Sequence, residues 1–224
     1  ESLASQTPAQ WHQEYKTLRS IWFKLIAAQS PAFFTKGLGL SSAKFSVDTP
    51  VGLARTYLKV TPAPVESDLS GVLAALKSGA AVASTGPMLD VSVNGTAGPG
   101  QLLAGTNPTV TLNIAVLSPD WVPVEQVRVY VNGTLVQTLD PSTFTVDLTD
   151  SRRRSTSIAG LALTQDSCIV VEAGTPDAGP TLGSAPWNAL YPVWFKFQRG
   201  IYPLAISNPI FVLRNGGTYT PPGN

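Results

Sequence analysis

The chain has 224 residues and 23.6 kDa, enough for one large or two small domains with a sizeable core. Charged residues make up 13% against about 25% in an ordinary soluble domain, and 15 Lys+Arg against 14 Asp+Glu leave a net charge of +1. That balance gives no support for a nucleic-acid partner, which needs a clustered basic surface. Apolar residues at 43% rule out global disorder. One His excludes a multi-histidine metal centre built from this chain alone, and one Cys excludes an internal disulfide. No apolar run approaches the ~20 residues that cross a bilayer. Low charge with high Gly, Pro, Ser and Thr suits a secreted or periplasmic bacterial protein. The chain opens on Glu1 without a signal peptide, as expected for a removed leader or a piece of something longer.

In chain order, the first third reads helical. Trp11, Tyr15, Leu18, Ile21, Trp22, Leu25 and Ile26 recur at three- and four-residue steps, which predicts a helix over 8–29 with one apolar face. Thr7 is placed as N-cap, Pro8 at the first helical position, and Ser30-Pro31 as the stop. That face needs a cover, because six or seven large apolar groups do not stay in water. Residues 32–40 read as a glycine-containing strand and 54–60 as an alternating strand. After the break at Thr61-Pro62-Ala63-Pro64, Ser67 or Asp68 caps a helix with Leu69, Val72, Leu73 and Leu76 as its stripe and Gly79 as its end.

From residue 81 the period switches to two. Ala81–Ser84 and Met88–Val93 read as strands, followed by an Asn94-Gly95 turn and an alternating run from Val110 to Val116. Val127, Val129 and Val131 lead through Asn132-Gly133 into residues 134–139, the strongest hairpin signal in the chain. Phe144, Val146 and Leu148, then Ile158, Leu161 and Leu163, then Ile169 and Val171, continue the pattern. Residues 193–197 and 209–213 read as further strands. Seven or more short strands at roughly ten-residue spacing argue a β-sandwich.

Several segments carry a family likeness in order along the chain. They include residues 21–26, Lys36-Gly37-Leu38-Gly39-Leu40-Ser41-Ser42-Ala43-Lys44 and Gly52-Leu53-Ala54-Arg55-Thr56-Tyr57-Leu58. Others are residues 72–79, Ser84-Thr85-Gly86-Pro87-Met88-Leu89, Ser118-Pro119-Asp120-Trp121, Val131-Asn132-Gly133 and residues 206–211. Together they resemble the C-terminal part of a PHP-type metallohydrolase of the CehA/McbA-like group. The resemblance implies an α+β, mainly β chain: a partial PHP-like α/β barrel segment over 1–86, then an Ig-like β-sandwich over 87–224. It also implies His and Asp ligands at strand ends that hold divalent metals and activate water. Most of those ligands would lie upstream of this chain, so a divalent metal is expected only if an upstream segment supplies them.

The one ligand motif that should fall here, Ser-Asp-x-His, is Ser41-Ser42-Ala43-Lys44. Ser42 stands where the carboxylate would be and Lys44 where the imidazole would be. A hydroxyl is a weak ligand, and an ammonium has no lone pair to give. Ser42 and Lys44 are therefore degenerate metal-site positions, with no metal or catalytic residue expected in this chain. Lys44 could instead supply a fixed positive charge where a metal once sat.

Outside that motif, Arg152-Arg153-Arg154 is the only charge run, read as a solvated loop or a dock for an acidic partner or anionic glycan. Trp187, Tyr191 and Trp194 are candidates to line a sugar or partner groove, or to pack a core. Trp121 reads as a packing anchor, His12 as a surface or packing residue, and Cys168 as a buried, inert thiol. The expected function is a non-catalytic structural or binding module. The alternatives are one part of an active phosphoester or ester hydrolase with ligands upstream, and a carbohydrate-binding sandwich. The expected partner is the rest of its own barrel, or a sister chain, packed on the helix 8–29.

Overall fold

A computed structural model describes residues 8–28, 53–61, 68–181 and 201–223. The proposed strand at 32–40, the strand at 193–197, the Ser30-Pro31 stop and the Thr7 cap lie outside these residues. The described elements run α1 (Pro8–Ala27), β1 (Arg55–Leu58), α2 (Ser70–Ser78), β2 (Ala81–Ser84), β3 (Met88–Val93), β4 (Leu102–Leu103) and β5 (Thr109–Leu117). They continue with β6 (Gln126–Val131), β7 (Thr134–Leu139), β8 (Thr145–Val146), β9 (Arg153–Ala162), β10 (Ser167–Gly174), β11 (Leu204–Ser207) and β12 (Ile210–Val212). The chain is mainly β, in two sheets.

Among the described residues the larger sheet has eight strands. β10 is its spine, with β6 on one side and β11 followed by β12 along the other. β11 carries β2 and then β1, β12 carries β4 in parallel, and β6 carries β7. The smaller sheet runs β3-β5-β9-β8, all antiparallel. Between the sheets lies the main core: Leu89, Val91 and Val93 of β3 and Leu112 and Ile114 of β5 face Val127, Val129, Ile169, Val171, Ile210 and Val212. Those positions are every second residue of their strands, which is what the period-two pattern required.

The other side of the eight-stranded sheet is not left wet. Trp22, Phe23 and Ile26 of α1 pack on Tyr130, Cys168, Val170, Ile206 and Phe211 and form a second cluster. The order is therefore helix, sheet, sheet. This explains β10, whose eight residues are all buried: a strand covered on both faces reads as a continuous apolar run rather than an alternation.

Turn chemistry sets the register. Asn132 and Gly133 both have positive φ, at 53° and 78°, as a two-residue hairpin between β6 and β7 demands. The corner Ser84-Thr85-Gly86-Pro87 takes the chain from one sheet to the other. The Gly86 N–H donates to Ser84 Oγ at 2.9 Å, while Ser84 Oγ donates to the Pro87 carbonyl. The Leu204 N–H donates to Thr85 Oγ1 at 3.0 Å, and the Thr85 N–H donates to the Leu204 carbonyl at 2.8 Å. These small hydroxyl residues are buried because they replace ladder bonds at a bend. Residue 86 thus falls in the crossover, and β1 and β2 before it are paired into the same sheet as β10–β12.

Three expectations need correction. The stripe on α1 divides: Tyr15, Trp22 and Ile26 are buried, whereas Leu18, Ile21 and Leu25 are exposed. The helix is rotated so that His12 and Arg19 also face inward, where the Pro176 carbonyl just beyond β10 and Glu172 on β10 are their partners. In α2 only Ala75 is buried, while Leu69, Leu73 and Leu76 are exposed. The proposed strand face Phe144, Val146 and Leu148 shrinks to a 3-10 turn at Pro141–Thr143 and the two residues of β8. Phe144 is buried, but Leu148 stands fully in solvent.

Candidate functional site

β1 and β3 are end strands of the described part of their sheets. On β1 the residues of one face are Arg55, Tyr57 and, just beyond the strand, Lys59. This face turns inward, since Tyr57 stands opposite Val82 and packs on the main core. Two adjoining hollows share Tyr57 and Met88 and make one groove along this side. One end is lined by Arg55, Trp121, Pro119 and Arg152, and the other by Lys59, Asp90, Pro99 and Arg153.

The groove is basic and aromatic. The Arg55 guanidinium lies 5.6 Å from the Tyr57 ring centroid, within cation–π range. Neither Arg55 nor Lys59 has an acidic partner among the described residues. Trp121 is 44% exposed and lines the groove.

The arginine run is split by strand geometry. Arg152 precedes β9 and grips Asp150 with two bonds, Nε to Oδ1 at 2.7 Å and Nη2 to Oδ2 at 2.9 Å. Those bonds and the Arg152 backbone N–H hold the Asp150 carboxyl below the usual range. Arg153 donates to Asp90 Oδ2 across the sheet at 3.2 Å. Arg154 stands opposite Val116, on the other face of β9. Thus Arg152 and Arg153 reach the groove, and Arg154 does not line it. Ser42, Lys44, Trp187, Tyr191 and Trp194 lie outside the described residues.

A second polar constellation sits under α1. Arg128 of β6 and Glu172 of β10 are directly opposed across strands and both are buried. Glu172 accepts from Arg128 Nη2 at 2.5 Å and from Arg19 Nη1 at 2.6 Å. Arg19 also holds Asp177 through Nη1 to Oδ1 at 2.9 Å and Nη2 to Oδ2 at 2.7 Å. Two cations and two anions balance, and Arg19 lies over the Tyr15 and Tyr130 rings at 5.7 and 5.2 Å. Burial opposes the charge on Asp177, but the Arg19 hydrogen bonds and the nearby Arg128 outweigh it and hold this carboxyl low. Burial and the neighbouring Glu172 raise both tyrosine hydroxyls, so they stay protonated. This cluster ties α1 to the sandwich. Its paired charges leave no free nucleophile or base, and among the described residues no three His, Cys, Asp or Glu side chains gather as metal ligands would.

His12 is buried, with Nε2 3.0 Å from the Pro176 carbonyl and its ring edge-on to Tyr202. Cys168 is buried and its thiol is pushed up to about 11 by desolvation, as befits a packing residue. Sequence reasoning passed over Arg19, Arg128 and Glu172. The signal was available: a lone acid inside Ile169-Val170-Val171-Glu172-Ala173 is affordable only with a buried cationic partner. It also passed over the groove role of Arg55, Tyr57 and Lys59, which depends on where an end strand happens to lie. No family model, curated protein or solved structure matches this chain. No helix among the described residues is long and apolar enough to cross a membrane.

Proposed function

We propose that this chain is a non-catalytic binding module derived from a PHP-type metallohydrolase, one part of a larger chain or assembly, whose sandwich side groove takes an extended anionic ligand. An acidic glycan fits the groove best. The supporting observation is the convergence of Arg55 and Arg152 with Trp121 and Tyr57 along one groove. Guanidinium groups match carboxylate geometry, and flat aromatic faces stack on sugar rings. The degenerate pair Ser42 and Lys44 supports the non-catalytic part of the reading, because an alcohol and an ammonium are poor company for a divalent cation.

The test is retention on polyuronate against a neutral glucan of equal length, repeated at rising salt. Binding to the polyuronate alone, weakening with salt, is the expected result. Trp121→Ala and Arg55→Ala should each weaken it by about tenfold, equivalent to ~1.4 kcal/mol. Equal retention on both polymers, or indifference to both substitutions, removes the groove from the account. Stoichiometric zinc, manganese or iron in the chain, with turnover of a phosphoester or carboxyl ester, ends the non-catalytic reading.

A further inference from the structure

The two ends of the side groove differ in chemistry. The Trp121 end offers aromatic rings and guanidinium groups. The Lys59 end is a hollow with an apolar floor, formed by Leu58 and Val82 of the larger sheet and by Met88, Leu89 and Pro99 on the β3 side. Leu58 and Met88 are half-buried and belong to neither hydrophobic cluster, so part of this floor is left for a ligand to cover. Its volume of about 290 Å³ has room for a substituent of a few heavy atoms.

Charge stands at the rim of that hollow. Arg153 is held by Asp90 at 3.2 Å, so this pair cancels. Lys59 has no acidic partner among the described residues. Its Nζ lies 3.9 Å from where a Cβ on Gly98 would sit, next to Pro99. One unpaired cation therefore borders an apolar floor. Lys59 follows Arg55 by four residues, so the Cα atoms of the two unpaired cations stand roughly 13 Å apart along the groove. A polyacid with bare hydroxyls meets both cations but sets polar groups against Leu58 and Met88.

We infer that the groove takes an O-acetylated acidic glycan, with an acetyl methyl on the Leu58–Met88 floor and a neighbouring carboxylate on Lys59. This rests on the acidic-glycan reading of the groove. Charge selects the substituent. A methyl ester also brings a methyl group, but it forms on the carboxylate itself and removes the anion that Lys59 would meet. The ammonium would then be covered without a partner, which is costly. An O-acetyl ester stands on a hydroxyl and leaves the carboxylate ionised. Of the two esters it alone supplies an apolar group and a negative charge together.

Isothermal titration calorimetry of the 224-residue chain with polygalacturonate of one length tests this. Three forms are compared: untreated, partly O-acetylated, and methyl-esterified to the same degree. The untreated form should bind, and the acetylated form should bind about fourfold more tightly, the worth of one buried methyl group. The methyl-esterified form should bind more weakly than the untreated one. Met88→Gln makes the floor polar and should bring the ratio of acetylated to untreated affinity to about one. Lys59→Gln should weaken both forms by the same factor and leave that ratio unchanged. Met88 is half-buried and Lys59 exposed, so the circular dichroism of both variants should match the parent. Equal affinity with and without acetyl groups overturns the inference and leaves the acidic-glycan reading standing. So does a methyl-esterified form that binds as tightly as the acetylated one, or an acetyl preference that survives Met88→Gln. Absence of binding by all three forms removes the acidic-glycan reading, and this inference with it.

Discussion

Glu172 has no exposed surface and divides its two oxygens between two arginines on different elements. Replacing it with Gln strands two guanidinium groups in the interior, and urea unfolding should show a loss of about 3–5 kcal/mol. Replacing Arg19, Arg128 and Glu172 together with methionines removes the desolvation cost along with the pairing. That triple variant should be far less destabilised than the single one, which separates a stabilising network from a specifying one. A second residue-scale test concerns backbone room. Gly174 has φ of 136°, and a Cβ there would lie 2.1 Å from the Pro203 carbonyl oxygen, so Gly174→Ala must move β10 away from the chain beside it. The expected loss is about 3 kcal/mol or more. At Gly95, φ is 68° with nothing within 4 Å of an added Cβ, so only conformational strain of about 1–2 kcal/mol applies. Glu172 was visible in the sequence as an acid in an apolar run, whereas the clash at Gly174 was not, because Pro203 is 29 residues away and no local pattern joins them.

At the scale of elements, β2, β3, the β6–β7 hairpin and most of β5 were legible because period-two alternation and Asn-Gly turns are local signals, β10 was legible as an apolar run, and β9 only from Ile158 onward. β4, with two residues, offers no period to read, and β11 is a short run buried on both faces. The orientation of α1 was also hidden. Its apolar arc is wider than the sandwich needs, and the choice of face is made by His12 and Arg19, which find partners only after folding. That docking should depend on pH. His12 is the only histidine, and burial lowers its pKa below the usual 6.5. On acidification the unfolded chain takes up the proton first, so stability declines from about pH 6.5 down to the folded value. Asp177 is also held below its unfolded value, near 3.9, so its contribution is complete above that value and fades as pH falls through the folded pKa. Urea midpoints measured from pH 7.5 to 3 should therefore fall in two stages. His12→Gln should flatten the upper stage, and Asp177→Asn the lower. A profile with the same upper slope in His12→Gln would show that another group drives it.

For the whole molecule, the decisive relation is that one helix turns a two-layer sandwich into three layers. β10 can be apolar on both faces because α1, together with Tyr219, lies over Val170, Tyr130, Ile206 and Phe211. Arg128 and Glu172 can be buried only because Arg19 and the helix exclude water from that side. Removing residues 1–28 would therefore bare a large apolar patch with a charged pair at its centre, across strands that form the spine of the larger sheet. Such a patch exceeds what monomeric proteins tolerate. The shortened chain, 29–224, should bind an apolar-surface dye, aggregate at modest concentration and lose its cooperative urea transition. Adding a peptide of residues 8–28 should suppress the dye signal, and the Arg19→Ala form of that peptide should do so less well, because it no longer neutralises Glu172. If the shortened chain were instead monomeric, dye-silent and sharply cooperative, α1 would be an appendage, and burial on both faces of β10 would need another cause.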